Sequence, residues 1–119
     1  MKLLIVDDEV EALEGMEFYF SAHGHEVLIA QGGAEALALI KAHKPQLMLL
    51  DLKMKGLSGF DVLKQVPGLD PKLITVIVTG MDQEDLDEEC RRLGAWKVIR
   101  KPVRVEDLEE IVEEIKKRG

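Results

Sequence analysis

The sequence predicts an α/β fold, a parallel sheet of five strands alternating with five helices. Short apolar runs rich in Val, Ile and Leu recur at Leu3 to Val6, Leu47 to Leu50, Leu73 to Val78 and Val98 to Ile99, and runs of this kind read as strands buried on both faces. The stretches between them carry helical periodicity. Each run also stops at a polar residue: Asp7 and Asp8, Asp51, Thr79 and Lys101. Ligands of such sheets bind beyond the carboxyl ends of the strands, so these five residues are expected to share one edge.

After the first run, Ala12, Leu13, Met16, Tyr19 and Phe20 form a stripe at helical spacing, with Phe18 off it and Gly24 where a helix would end. Val27 to Ala30 reads as a short second strand. Gly32 and Gly33 then open a helix with the apolar face Ala36, Leu37 and Ile40, and Pro45 marks its exit. Beyond Asp51, the glycine-containing segment Lys53 to Gly59 reads as a loop before a short helix around Asp61 to Val66, ended by Pro67, Gly68 and Pro71. Asp82, Glu84 and Asp85 at the start, and Arg91 and Arg92 at the end, specify a fourth helix through its dipole, with Leu86, Cys90 and Leu93 as its apolar edge and Gly94 beyond. Leu108, Ile111, Val112 and Ile115 give the last helix its buried stripe.

The 119 residues, 46% hydrophobic, suit a single domain over 1–119. A net charge of -7 argues against binding a phosphate backbone, so no nucleic-acid partner is expected. Cys90 is the lone cysteine, which excludes an internal disulfide and fits a cytoplasmic setting. The apolar start is broken at Asp7, far short of a signal or membrane segment. The end at Gly119, just past the last helix, leaves no room for an output domain, so the chain reads either as a single-domain regulator or as a part of a longer one.

Asp7, Asp8 and Asp51 at one edge would raise one another's pKa unless a cation compensates. Every ligand on offer is a hard oxygen, which favours Mg²⁺, an ion that takes one or two carboxylates, keeps waters and binds phosphate oxygen. In-line phosphoryl transfer needs a nucleophile, a metal and positive charge on the equatorial oxygens. Asp51 can be the nucleophile, since carboxylates do form aspartyl phosphates. Lys101 can pair with the phosphoryl charge, and Thr79 can donate a hydroxyl hydrogen bond. Taken singly, each of these residues has an ordinary reading as a helix cap, a turn residue or a solvated lysine; their joint placement carries the argument.

The ordered set Leu4-Ile5-Val6-Asp7-Asp8-Glu9, Leu49-Leu50-Asp51-Leu52-Lys53-Met54, Val78-Thr79-Gly80 and Gly94-Ala95 leading to Lys101-Pro102 resembles the receiver domain of two-component response regulators over essentially the whole length. The resemblance implies a doubly wound, CheY-like and flavodoxin-like five-stranded parallel sheet of strand order 2-1-3-4-5 and phosphorylation of Asp51 by a histidine kinase or phosphotransfer protein. It implies Mg²⁺ held by Asp8, Asp51 and the backbone carbonyl of Lys53, with Asp7 acting largely through water, and a cis bond between Lys101 and Pro102. It implies an output surface on the last two helices and fifth strand, used for docking a downstream protein or for self-dimerisation. Chemistry beyond self-catalysed phosphorylation and dephosphorylation is not expected. Two positions depart from the family: Val98 stands where an aromatic residue usually reports the switch, and Lys55 where proline is usual. They motivate the alternative of a degenerate receiver acting as a phosphorylation-independent module. An aspartate-based phosphatase would want a second acid two residues after its nucleophile, where Lys53 stands, and a flavodoxin-like cofactor binder would be repelled by Asp7-Asp8-Glu9.

The remaining candidates read plainly. His23, His25 and His43 match no ligand spacing and are assigned to the surface. Met54 and Met81 are assigned to packing, and Glu109, Glu110, Glu113 and Glu114 to a solvated face. Trp96 is assigned to cover of a local apolar patch, with a docking role as the alternative.

Overall fold

The computed structural model describes residues 1–118. Strands β1 (Lys2–Val6), β2 (Glu26–Ala30), β3 (Leu47–Leu50), β4 (Ile74–Thr79) and β5 (Lys97–Arg100) alternate with helices α1 (Val10–Ala22), α2 (Gly33–His43), α3 (Gly59–Leu69), α4 (Leu86–Arg92) and α5 (Val105–Arg118). All strand pairs are parallel and the order is β2-β1-β3-β4-β5, as the resemblance implied.

Alternation of side chains along each strand divides the core in two. Leu4, Val6, Met48, Leu50 and Ile77 face Ala36, Ile40, Val62, Leu63, Leu86 and Cys90 of α2, α3 and α4. Leu3, Ile5, Leu47, Leu49 and Val76 face Leu13 and Phe20 of α1 and the four apolar residues of α5. All four residues of β3 are buried, which is why that run reads as unbroken apolar sequence, while the edge strand β5 is only partly buried throughout. Full burial of a Leu, Ile or Phe side chain contributes roughly 1.5–3 kcal/mol, so helices that are individually marginal in water are held by the sheet. Phe18, off the α1 stripe, is 80% exposed.

Two helices differ from the sequence reading. The third runs through Pro67 and Gly68 to Leu69. Proline in the last turn removes one hydrogen bond, but the helix closes beyond it, with Asp70 N donating to Val66 O at 2.8 Å, and buried Leu63 and Val66 keep the turn packed. The fourth is the shortest of the five and starts only at Leu86. Asp85 takes φ 65, in the left-handed region, so Asp82, Glu84 and Asp85 lie in the loop ahead of the helix and not within its first turn.

One surface assignment is also corrected. His25 is half-buried, its ring edge-on to Phe20 at 5.8 Å and its Nδ1 buried with no hydrogen-bond partner. Glu109 keeps its side chain 41% exposed and also accepts a hydrogen bond from the Tyr19 hydroxyl, joining α5 to α1. That bond holds the Tyr19 hydroxyl proton, with a pKa pushed up to about 12. The Tyr19–Glu109 contact joins helices far apart in sequence, so no periodicity reveals it. Met54 and Met81 pack against the core, and Trp96 covers the α5 side under Lys97 and Arg118.

Candidate phosphoacceptor site

The site is built at the carboxyl ends of β1, β3, β4 and β5. Val6 and Leu50 are register partners, so the residues that follow them, Asp7 and Asp51, emerge side by side. Their amides remain in the sheet: Asp51 N donates to Val6 O at 3.0 Å and Asp7 N to Ala30 O at 3.1 Å. Asp7 and Asp51 are buried and Asp8 is exposed, yet oxygen atoms from all three carboxylates lie within 4.8 Å of one another.

Lys101, one residue beyond β5, reaches across the edge. Its Nζ stands 3.1 Å from Asp7 Oδ2 and 3.1 Å from Asp51 Oδ2. The other oxygen of each carboxylate accepts a backbone N–H, from Glu9 at 3.0 Å and from Lys53 at 3.2 Å. Each buried charge therefore has both a cation and an amide, the condition under which burial is tolerated. Burial nevertheless raises the Asp51 pKa; Lys101 and the Lys53 amide oppose that rise, and neighbouring Asp7 adds to it. Burial would lower the Lys101 pKa, but its bonds to Asp51 and Asp7 outweigh it and the net direction is up.

Thr79, the last residue of β4, is fully buried. Its Oγ1 accepts from Met81 N at 3.1 Å, which leaves the hydroxyl proton free to be donated elsewhere. Lys101 N donates to Thr79 O at 2.8 Å, and the Lys101-Pro102 bond is cis. Asp7, Asp51 and Lys101 line a cleft of about 860 Å³ between α1 and α5, walled also by residues such as Ala12, Met16, Val103 and Leu108.

One contributor was not singled out from sequence. Gly59, read as a loop glycine, is the first residue of α3, where Ser58 and Asp61 form a capping box. A Cβ at Gly59 would stand 2.3 Å from Asp51 O and 2.6 Å from Leu52 Cα. Only glycine lets α3 begin this close behind the acceptor strand. The Ser-x-x-Asp spacing before an apolar run was the available signal.

Three carboxylates against one lysine leave two negative charges in excess. An all-oxygen donor set with that excess fits a hard divalent cation such as Mg²⁺. The family model described as the response regulator receiver domain matches residues 3–113. The chain belongs to this family. The receiver domain is 32% identical to sporulation initiation phosphotransferase F of Bacillus subtilis, over 98% of this chain and 91% of that protein. It is 35% identical to the protein PilH of Pseudomonas aeruginosa, over 90% of each. A CheY-like receiver domain from Methanospirillum hungatei superposes with a TM-score of 0.92 at 31% identity, covering 99% of this chain and 98% of that one. The receiver domain is thus a phosphoacceptor signalling module of two-component systems. Receiver domains generally bind Mg²⁺ at an acidic pocket, and they are not enzymes of the usual kind. They interact with histidine kinases or phosphotransfer proteins and with output domains. No helix among the described residues is long and apolar enough to cross a membrane.

Proposed function

We propose that Asp51 is the phosphoacceptor of a single receiver domain spanning 1–119, charged in the cytoplasm by a histidine kinase or phosphotransfer protein. The observation that carries this reading is the pair of buried carboxylates bridged by Lys101 at 3.1 Å to each, with the exposed Asp8 carboxylate beside them. Asp8, Asp51 and the backbone carbonyl of Lys53 would hold Mg²⁺, with Asp7 acting through water. Bound there, Mg²⁺ supplies charge neutralisation to the equatorial phosphoryl oxygens.

The remaining chemistry belongs to the chain. An Asp51 carboxylate oxygen forms the new bond to phosphorus as the bond from phosphorus to the donor's nitrogen or oxygen breaks, and the leaving group departs with that bonding pair. Lys101 exchanges one carboxylate partner for the phosphoryl group, and Thr79 turns its free hydroxyl proton towards it. Self-catalysed phosphorylation from small donors and self-dephosphorylation complete the activity. The surface of α4, β5 and α5 then docks a downstream protein or a second copy. The complete cluster of acceptor, acids, lysine and threonine supports this over a phosphorylation-independent module.

Intact mass after incubation with acetyl phosphate tests it. One phosphoryl group added to the native protein only when Mg²⁺ is present, and none added to Asp51→Asn, is the expected outcome. Addition that survives Asp51→Asn would refute the assignment.

A further inference from the structure

Val98 packs half-buried against the core on the α4 side of β5, so no aromatic ring stands there to report events at Thr79. Two residues on, Arg100 makes a different connection. Its Nη2 donates to Asp87 Oδ1 at 2.6 Å, crossing from the last residue of β5 to the first turn of α4. Arg100 is also tied to the reactive edge through the backbone. It is the register partner of Thr79, and the next amide, that of Lys101, donates to Thr79 O at 2.8 Å. The two groups assigned to meet the phosphoryl oxygens therefore flank Arg100.

The other end of the connection is the element best able to respond. Helix α4 has 7 residues and is entered through Asp85 at φ 65, while residues 80–85 belong to no helix or strand. A helix of two turns has little stability of its own. Its seating depends on buried Leu86 and Cys90 and on whatever ties its exposed side to β5.

We propose that Arg100 is the positioning residue that couples the acceptor site to α4. Its pair with Asp87 tethers α4 in the unphosphorylated domain, and movement of Thr79 and Lys101 towards a phosphoryl group on Asp51 loosens it. The inference rests on the reading of Asp51 as acceptor. Both side chains are partly exposed, 36% and 50%, and such pairs bias an equilibrium by a factor of roughly two to five without locking it.

The test is amide hydrogen exchange over Leu86–Arg92 in the full chain, before and after acetyl phosphate with Mg²⁺, alongside intact mass to report phosphoryl occupancy. Asp87→Asn and Arg100→Gln should each speed α4 exchange about two- to fivefold before phosphorylation and shrink the phosphorylation-dependent increase by the same factor. Arg100→Lys keeps the ion pair and should behave as the native protein. Equal increases in the native protein and both neutral variants would overturn the tether, even if Asp87→Asn speeds exchange, because an acid lost from the first turn loosens a helix without coupling it to anything. A native protein that gains the phosphoryl mass with no change in α4 exchange overturns it as well. Absence of that mass in the native protein instead overturns the assignment of Asp51, and the tether with it.

Discussion

Lys101 holds two buried carboxylates that would otherwise repel one another. Lys101→Ala should cost about 1–3 kcal/mol by leaving both charges short of a partner, and Mg²⁺ should recover more stability in this variant than in the native protein. Urea denaturation with and without MgCl₂ measures both. Asp51 acts in the opposite sense. Its carboxyl holds a proton more tightly folded than unfolded, so between its ordinary value near about 4 and the raised folded value the native state binds the extra proton. Stability contributed by Asp51 is then lost as pH rises through that window, and at neutral pH the ionised group is a net cost. Asp51→Asn should therefore be more stable than the native protein at pH 7, by a margin that narrows towards about pH 4 and that Mg²⁺ reduces. A variant less stable at pH 7 without metal would show that Lys101 more than offsets the burial.

At the scale of elements, the approach of α3 to β3 sets the acceptor's backbone. Gly59→Ala would drive a methyl group into Asp51 O and Leu52 Cα, and overpacking against backbone should cost about 3 kcal/mol, read as a lower denaturation midpoint. Elements with a simple period were legible: β1, β3 and β4 as apolar runs, α5 as four residues on one stripe, and the site because strands that run parallel must finish at one edge. The misreadings have physical causes. Charges at Asp82, Glu84 and Asp85 look like a helix start, but the backbone at Asp85 turns left-handed and delays it. Pro67 looks like a stop, yet the bond from Asp70 N closes the last turn after it. Gly59 reads as part of a loop, yet its role is space, which a sequence does not display.

At the scale of the molecule, His25 sits near Phe20 of α1 and Val112 and Lys116 of α5. Its pKa is lowered, first by burial and then by the N-terminal ammonium and Lys116. The unfolded chain takes up that proton near pH ~6.5 and the folded one only at lower pH, so stability is lost as pH falls through this interval. Thermal midpoints of His25→Gln should decline less steeply than those of the native protein from pH 7.5 to 5.5 (roughly one unit either side of the free imidazole); parallel declines would show that the ring titrates alike in both states. Divalent binding adds a second global lever, since a ligand of the native state stabilises it by about 1.4 kcal/mol per tenfold concentration above Kd; melting against Mg²⁺ concentration should show this, and Asp8→Ala should flatten it. The parallel sheet also has a second rim. There the amide of Lys2 donates to the Gln46 side chain at 3.0 Å, and Gln46 N donates back to Lys2 O. A fluorophore or surface tether joined at Met1 leaves from this rim, a full strand length away from the reactive carboxylates. The domain can be immobilised by its amino end with the acceptor facing a soluble donor.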